Sequence, residues 1–323
     1  VVDLRFSVWG DGEGVTGQPV GRDGAGRAAW AARAGPRVEF EFGAVFTSVR
    51  AIPLRAGRGD RLCVSDLLVA ASGRLWIADA PAKALKVYSP QGWRLEALER
   101  ETTGLRRPVS LASLHGRWVA ALDGLLPAIA ILDESGRTVR RFRIHEVDRP
   151  VQVCSLSDRR LAVLGSGWGR GAGKLVHLYT AGGEYIESFF GEPRDGRSGG
   201  RAYAATMGET LYVANTSTDS FAVYDLEADA VLSFPSAAAG TAGALRGLFA
   251  TPCGPLLALY AWGDGDYLYD IYELDGRPIA LGVPSSERVV GVEGPFFYSV
   301  HSASGGDPTL RVWKLRFEAE DSE

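Results

Sequence analysis

One short pattern recurs six times along the chain: apolar, any residue, apolar, large and apolar, polar. Its copies are Leu85-Lys86-Val87-Tyr88-Ser89, Ile129-Ala130-Ile131-Leu132-Asp133, Val176-His177-Leu178-Tyr179-Thr180, Phe221-Ala222-Val223-Tyr224-Asp225, Tyr269-Asp270-Ile271-Tyr272-Glu273 and Leu310-Arg311-Val312-Trp313-Lys314. Successive copies lie 41 to 48 residues apart, counted between Tyr88, Leu132, Tyr179, Tyr224, Tyr272 and Trp313. A chain of 323 residues is long enough for two domains, but a repeat of this period signals stacked copies of one unit. In every copy the first and third positions are apolar, the period-2 signature of a strand. The fourth position is Tyr, Leu or Trp. That end of the strand is therefore apolar on both faces, as in a sheet packed between two neighbours.

A second apolar run precedes each copy: Leu75 to Ala78, Trp118 to Ala121, Leu161 to Leu164, Leu211 to Ala214, Leu256 to Leu259 and Phe296 to Ser299. A third lies upstream of most, as at Val109 to Leu114 and Val151 to Leu156, joined through turns such as Ser72-Gly73, His115-Gly116 and Ser157-Asp158. Downstream, Pro90-Gln91-Gly92, Glu134-Ser135-Gly136, Ala181-Gly182-Gly183, Glu227-Ala228-Asp229 and Asp275-Gly276 are hairpin turns whose residues suit positive φ. A fourth strand follows, as in Arg94 to Leu98 and Thr138 to Ile144. Four antiparallel strands per copy, six times over, predict an all-β chain folded as a single six-bladed β-propeller.

The blades are expected at 61–107, 108–149, 150–200, 201–246, 247–288 and 289–317. The sixth copy has no hairpin turn or fourth strand. An N-terminal strand is expected to supply it and close the ring, either Val2 to Val8 or Val38 to Phe42, within a 1–60 segment that also holds a long loop. Residues 318–323 form an acidic tail.

Composition narrows the function classes. A net charge of −4 argues against a nucleic-acid binder, and no apolar run approaches a membrane span. Cys63, Cys154 and Cys253 have no zinc spacing and are expected as buried free thiols in strands. Cations are nearly all Arg, with lysine only at Lys83, Lys86, Lys174 and Lys314; this bias points to a bacterial source. A first residue other than Met fits removal of a leader, so a periplasmic or secreted location is expected, with the cytoplasm as alternative.

The segment Gly73-Arg74-Leu75-Trp76-Ile77-Ala78-Asp79 followed by Leu85-Lys86-Val87-Tyr88 resembles the NHL-type repeat. Leu211-Tyr212-Val213-Ala214-Asn215 with Ala222-Val223-Tyr224-Asp225 repeats the likeness. It spans roughly residues 60 to 315 and implies kinship with the NHL-repeat, TolB-like and SMP-30-like six-bladed propellers. That superfamily holds scaffolds, sugar-lactone hydrolases, strictosidine-synthase-like enzymes and lyases, so fold alone does not choose a function. WD40 repeats are disfavoured, because no Trp-Asp pair ends a strand.

In a propeller, the segments entering the innermost strands share one face with the loops between second and third strands. An Arg precedes five innermost strands: Arg107, Arg149, Arg201, Arg246 and Arg288. Converging guanidinium groups would bind carboxylate or phosphate. Blade 3 adds two long loops on that face, Gly165 to Lys174 and Gly191 to Arg201. They offer Trp168 as a stacking surface and Arg170, Arg194 and Arg197 as further charge. The Gly-rich run lacks the Walker A order and is not a phosphate loop. Asp79, Asp123, Asp264, Asp266, Asp307, Asn215 and His301 are the other polar residues expected at the mouth. Asp264, Asp266 and Asn215 are candidates for calcium or another divalent cation; no cofactor is otherwise expected. No Ser/His/Asp nucleophile arrangement is visible. The expected function is therefore non-enzymatic binding of a protein, peptide or glycan by a monomer. The alternative is a lactonase-like or strictosidine-synthase-like hydrolase or lyase.

Overall fold

The computed structural model describes residues 45–55, 62–156, 159–191, 201–215, 218–226, 230–235, 244–252, 254–262, 266–301 and 307–316. The first strand is β1 (Phe46–Pro53). Blade 1 holds β2 (Asp66–Val69), β3 (Leu75–Asp79), β4 (Ala84–Tyr88) and β5 (Arg94–Leu98), and a single helical turn, α1 (Arg100–Thr103), leads onward. Blade 2 holds β6 (Pro108–Leu114), β7 (Trp118–Asp123), β8 (Ala128–Asp133) and β9 (Thr138–Arg143). Blade 3 holds β10 (Val147–Ser155), β11 (Arg160–Gly167), β12 (Lys174–Thr180) and β13 (Tyr185–Gly191). Blade 4 is β14 (Ala202–Met207), β15 (Thr210–Asn215), β16 (Thr218–Asp225) and β17 (Ala230–Pro235). Blade 5 is β18 (Leu245–Ala250), β19 (Leu256–Trp262), β20 (Asp266–Tyr272) and β21 (Pro278–Ser285). Blade 6 is β22 (Arg288–Glu293), β23 (Phe296–His301) and β24 (Thr309–Leu315), completed by β1.

Each innermost strand packs on the next: β2 on β6, β6 on β10, β10 on β14, β14 on β18, β18 on β22, and β22 back on β2. The six sheets are thus one closed ring. Six separate apolar clusters fill the wedges between successive blades, such as Trp76, Leu85 and Val119 between blades 1 and 2. This is why β3 and β4 are buried along their whole length whereas outer strand β5 buries only Leu98. Hairpins turn at Gly92, Gly136, Gly183 and Gly276, all at positive φ, where a side chain would be strained.

Closure comes from β1, antiparallel to β24, with Phe46 opposite Leu315 and Pro53 opposite Thr309. This strand is neither sequence candidate; both of those lie outside the described residues. The alternation rule misses β1 because only Phe46 and Ile52 of its eight residues are buried and a register shift intervenes between Ser48 and Arg50. Cys63 also departs from expectation: it is exposed and outside any strand, whereas Cys154 is buried in β10 and Cys253 lies outside the described residues.

Candidate functional site

The innermost strands all start on one face, the entry face. Near it a repeated polar clip joins three blades to their successors. Asp66 on β2 accepts the Leu111 N–H of blade 2 at 2.7 Å. Ser110 on β6 accepts the Val153 N–H of blade 3 at 3.2 Å. Gln152 on β10 accepts the Ala204 N–H of blade 4 at 2.9 Å and donates to the Ala204 carbonyl at 2.8 Å. The three are register-equivalent, facing Ala78, Leu122 and Leu164 on their second strands. Asp66 interacts electrostatically with Arg288 of blade 6 and Cys154 of blade 3, which places it close to the axis. Desolvation there pushes its carboxyl up to about 6, against the opposing pull of its hydrogen bonds and of Arg288. Burial, with the Asp66 charge, pushes the Cys154 thiol up to about 12, so this cysteine is inert.

Two of the five carboxylates expected at the mouth, Asp123 and Asp79, build its wall instead. Asp123 ends β7 and accepts the N–H groups of Arg106, Arg107, Leu125 and Leu126. Asp79 ends β3, accepts Cys63 and Ala82 N–H groups, and pairs with buried Lys86 at 2.9 Å. Both clamp the segment that enters an innermost strand.

Four of the five predicted arginines, Arg107, Arg149, Arg201 and Arg246, are exposed at the entrances of blades 2, 3, 4 and 5. Arg149 makes a solvent-exposed contact with Asp148, at 3.6 Å. Arg288 is half-buried and donates to the Val64 carbonyl, which withdraws it from the mouth into the wall. Trp168 is 69% exposed, following β11. Its backbone N–H is anchored on the Glu146 carbonyl at 2.6 Å. Arg170 follows within a single 3-10 turn, Gly169–Gly171, 3.3 Å from the buried Glu146 carboxylate, with its guanidinium 5.0 Å from the Tyr185 ring centre. The Gly-rich run is structural: a side chain at Gly167 would overlap the Gly171 carbonyl, and one at Gly171 would strike His177. Burial keeps His177 below the usual histidine range, with Ser188 Oγ 2.7 Å from Nδ1 and the Gly165 carbonyl 3.2 Å from Nε2. Arg194, Arg197 and Asp264 lie outside the described residues, as does the Asn215 side chain; Asp266 is exposed at the start of β20.

Sequence reading missed a second cluster at the entrance of blade 6. Buried Glu287 accepts from Ser299 and Arg311, and His301 Nδ1 stands 3.7 Å from the same carboxylate. Trp313 donates to Ser299 at 2.7 Å, and Tyr269 donates to the Glu287 carbonyl. His301 and Arg311 remain partly exposed above the buried acid. The signal available beforehand was Glu287 and Glu146, each immediately before the first residue of an innermost strand on opposite blades. Among the described residues, no three His, Cys, Asp or Glu are grouped to share a metal ion.

The fold is that of a six-bladed β-propeller, with Arg107, Arg149, Arg201 and Arg246 exposed where four of its blades begin. No protein-family model matches the chain, and no curated protein matches it significantly. Solved structures do. A Bacteroides fragilis protein described as exported superposes with TM-score 0.63 at 8% identity, covering 87% of this chain and 98% of that one. The WD40 repeats of RRP9 give TM-score 0.57 at 16% identity over 85% and 84% of the two chains. A streptogramin B lyase gives TM-score 0.55 at 10% identity over 77% and 78%. At these identities the likeness concerns the fold. No helix among the described residues is long and apolar enough to cross a membrane.

Proposed function

We propose that the protein is a non-enzymatic binding propeller, which receives an anionic group of a protein, peptide or glycan partner at its entry-face mouth. The supporting observation is charge. Arg107, Arg149, Arg201 and Arg246 are exposed at the entrances of four successive blades, while Asp79 and Asp123 are occupied by backbone N–H groups and Lys86. Guanidinium groups so placed suit carboxylate or phosphate. Trp168, exposed after β11, offers a face on which a sugar or aromatic ring stacks. We place the chain among exported bacterial propellers of the NHL, TolB-like and SMP-30-like kind, acting as a monomer.

The second reading, a hydrolase or lyase, rests on the Glu287, His301 and Arg311 cluster, a buried acid beneath a partly exposed imidazole and guanidinium. A divalent cation held by Asp264, Asp266 and Asn215 belongs to that reading.

One experiment separates the two. In a thermal-shift series at low salt, citrate and acidic oligosaccharides are expected to raise the melting temperature, an effect lost in Arg149→Ala/Arg201→Ala. The binding reading is abandoned if lactone substrates are turned over and Glu287→Gln, not the double Arg variant, abolishes turnover. An EDTA-sensitive calcium shift lost in Asp266→Asn would add the cation.

A further inference from the structure

The face opposite the mouth carries a groove of about 660 Å³ between blades 2 and 3. Its walls include Trp118, Val139 and Ile186, large apolar side chains that remain exposed, Trp118 at 40% and Val139 at 55%. They come from β7, β9 and β13, so the packing of two blades brings them together. Exposed apolar walls of this kind mark interaction sites. The rim is cationic: Arg140, Arg159 and Arg160 line it, and no carboxylate is among the described lining residues. Arg160 is paired with buried Glu209, and Arg140 gives one N–H to the Gly182 carbonyl at 2.9 Å. Arg159 is exposed. In a chain of net charge −4 this is a local reversal of sign.

Arg159 carries a second sign of use. It adopts φ 73 in the turn between the first two strands of blade 3. The matching turn of blade 1 has the same closing bond, Ala70 N–H to the Arg74 carbonyl as Leu156 N–H to the Arg160 carbonyl, and there the position is Gly73 at φ 76. Left-handed backbone costs a non-glycine residue stability, and such strain gathers at functional positions. Here it sets a guanidinium on the groove's rim where glycine would relax the turn.

We propose that this groove docks an acidic peptide segment of a partner protein. One large apolar side chain enters between Trp118, Val139 and Ile186, and flanking carboxylates pair with Arg140 and Arg159. Trp and Arg anchors around a desolvated pocket are the usual carriers of interface affinity. The surface is independent of the arginine mouth on the other face.

The test is fluorescence anisotropy on the full chain with a labelled synthetic peptide of Asp and Glu flanking a single Leu. Two controls replace the Leu by Gly or the acidic residues by Lys. The acidic Leu peptide alone is expected to bind, with affinity falling as salt rises. Trp118→Ala and Arg159→Gly should each weaken it by about tenfold. Arg159→Gly is the discriminating variant, because it relieves backbone strain: its melting temperature should hold or rise while affinity falls, a pair that misfolding does not produce. No binding, equal binding of the Leu and Gly peptides, or unchanged affinity in Arg159→Gly overturns the proposal. So does a sedimentation result in which the groove holds a second copy, released by Trp118→Ala.

Discussion

Asp66 shows how much a ring of blades changes a single carboxyl. Its folded pKa, raised to about 6 chiefly by desolvation, means that the folded state binds the proton more tightly than the unfolded chain. The ionised group therefore lowers stability at pH 7, and that loss disappears as pH falls through 6 toward the unfolded value near 4. Asp66→Asn keeps an acceptor for Leu111 N–H and removes the charge. It should stabilise the protein at pH 7.5 by about 1–2 kcal/mol and have little effect below pH 4. Urea unfolding at several pH values checks this; a constant difference across pH would show that the charge is not the cause. The oxygens of Asp79 and Asp123 are filled by N–H donors and, for Asp79, by Lys86. Aspartate at the end of a second strand reads equally well as a mouth ligand or as a clamp, and only the neighbouring N–H groups decide.

Among the elements, the hairpin of blade 1 and the closing strand depend on each other. The Arg55 N–H donates to the Gly92 carbonyl at 3.0 Å, and the Arg55 guanidinium lies 3.7 Å from the Trp93 ring centre. Gly92 is at φ 84, and a Cβ there would overlap the Pro53 carbonyl at the end of β1. Gly92→Ala therefore meets both backbone strain and a clash that no side chain can relieve. A loss of about 2–3 kcal/mol is expected by denaturant unfolding, with hydrogen exchange rising first in β1 and β24. A neutral result would mean that this junction does not hold the strand. The hairpin turns themselves were legible from their glycines, since a positive φ is a local demand. The closing strand was not, because an edge strand with one buried residue at each end carries almost no periodic signal.

The ring's stability is that of six wedges, each filled from two blades, so no blade buries its apolar faces alone. Removing β1 should be felt by the entire ring. A chain beginning at Leu54 exposes the edge of β24 and uncovers the Ile52 and Phe46 contacts. Differential scanning calorimetry should then show a melting temperature lower by roughly 10 °C or more and a broadened transition. An unchanged, sharp transition would mean that closure contributes little.

Hydrophobic alternation and its period were enough to give strands, blades and their number, because these follow from short-range chemistry: which side chains face water, and where a turn needs glycine. The recurrence of arginine at 107, 149, 201, 246 and 288 was likewise visible, being marked by its place in the repeat. What needed the folded ring is everything made by residues from different blades. Asp66, Ser110 and Gln152 form one column only once the repeats are set side by side. Glu287 meets Arg311 and His301 across three strands, Arg288 turns away from the mouth to a neighbouring blade, and Trp118 and Ile186, from two blades, line one groove. Burial and charge at such places are set by packing between segments far apart in the chain, and no local pattern of residues encodes that neighbourhood.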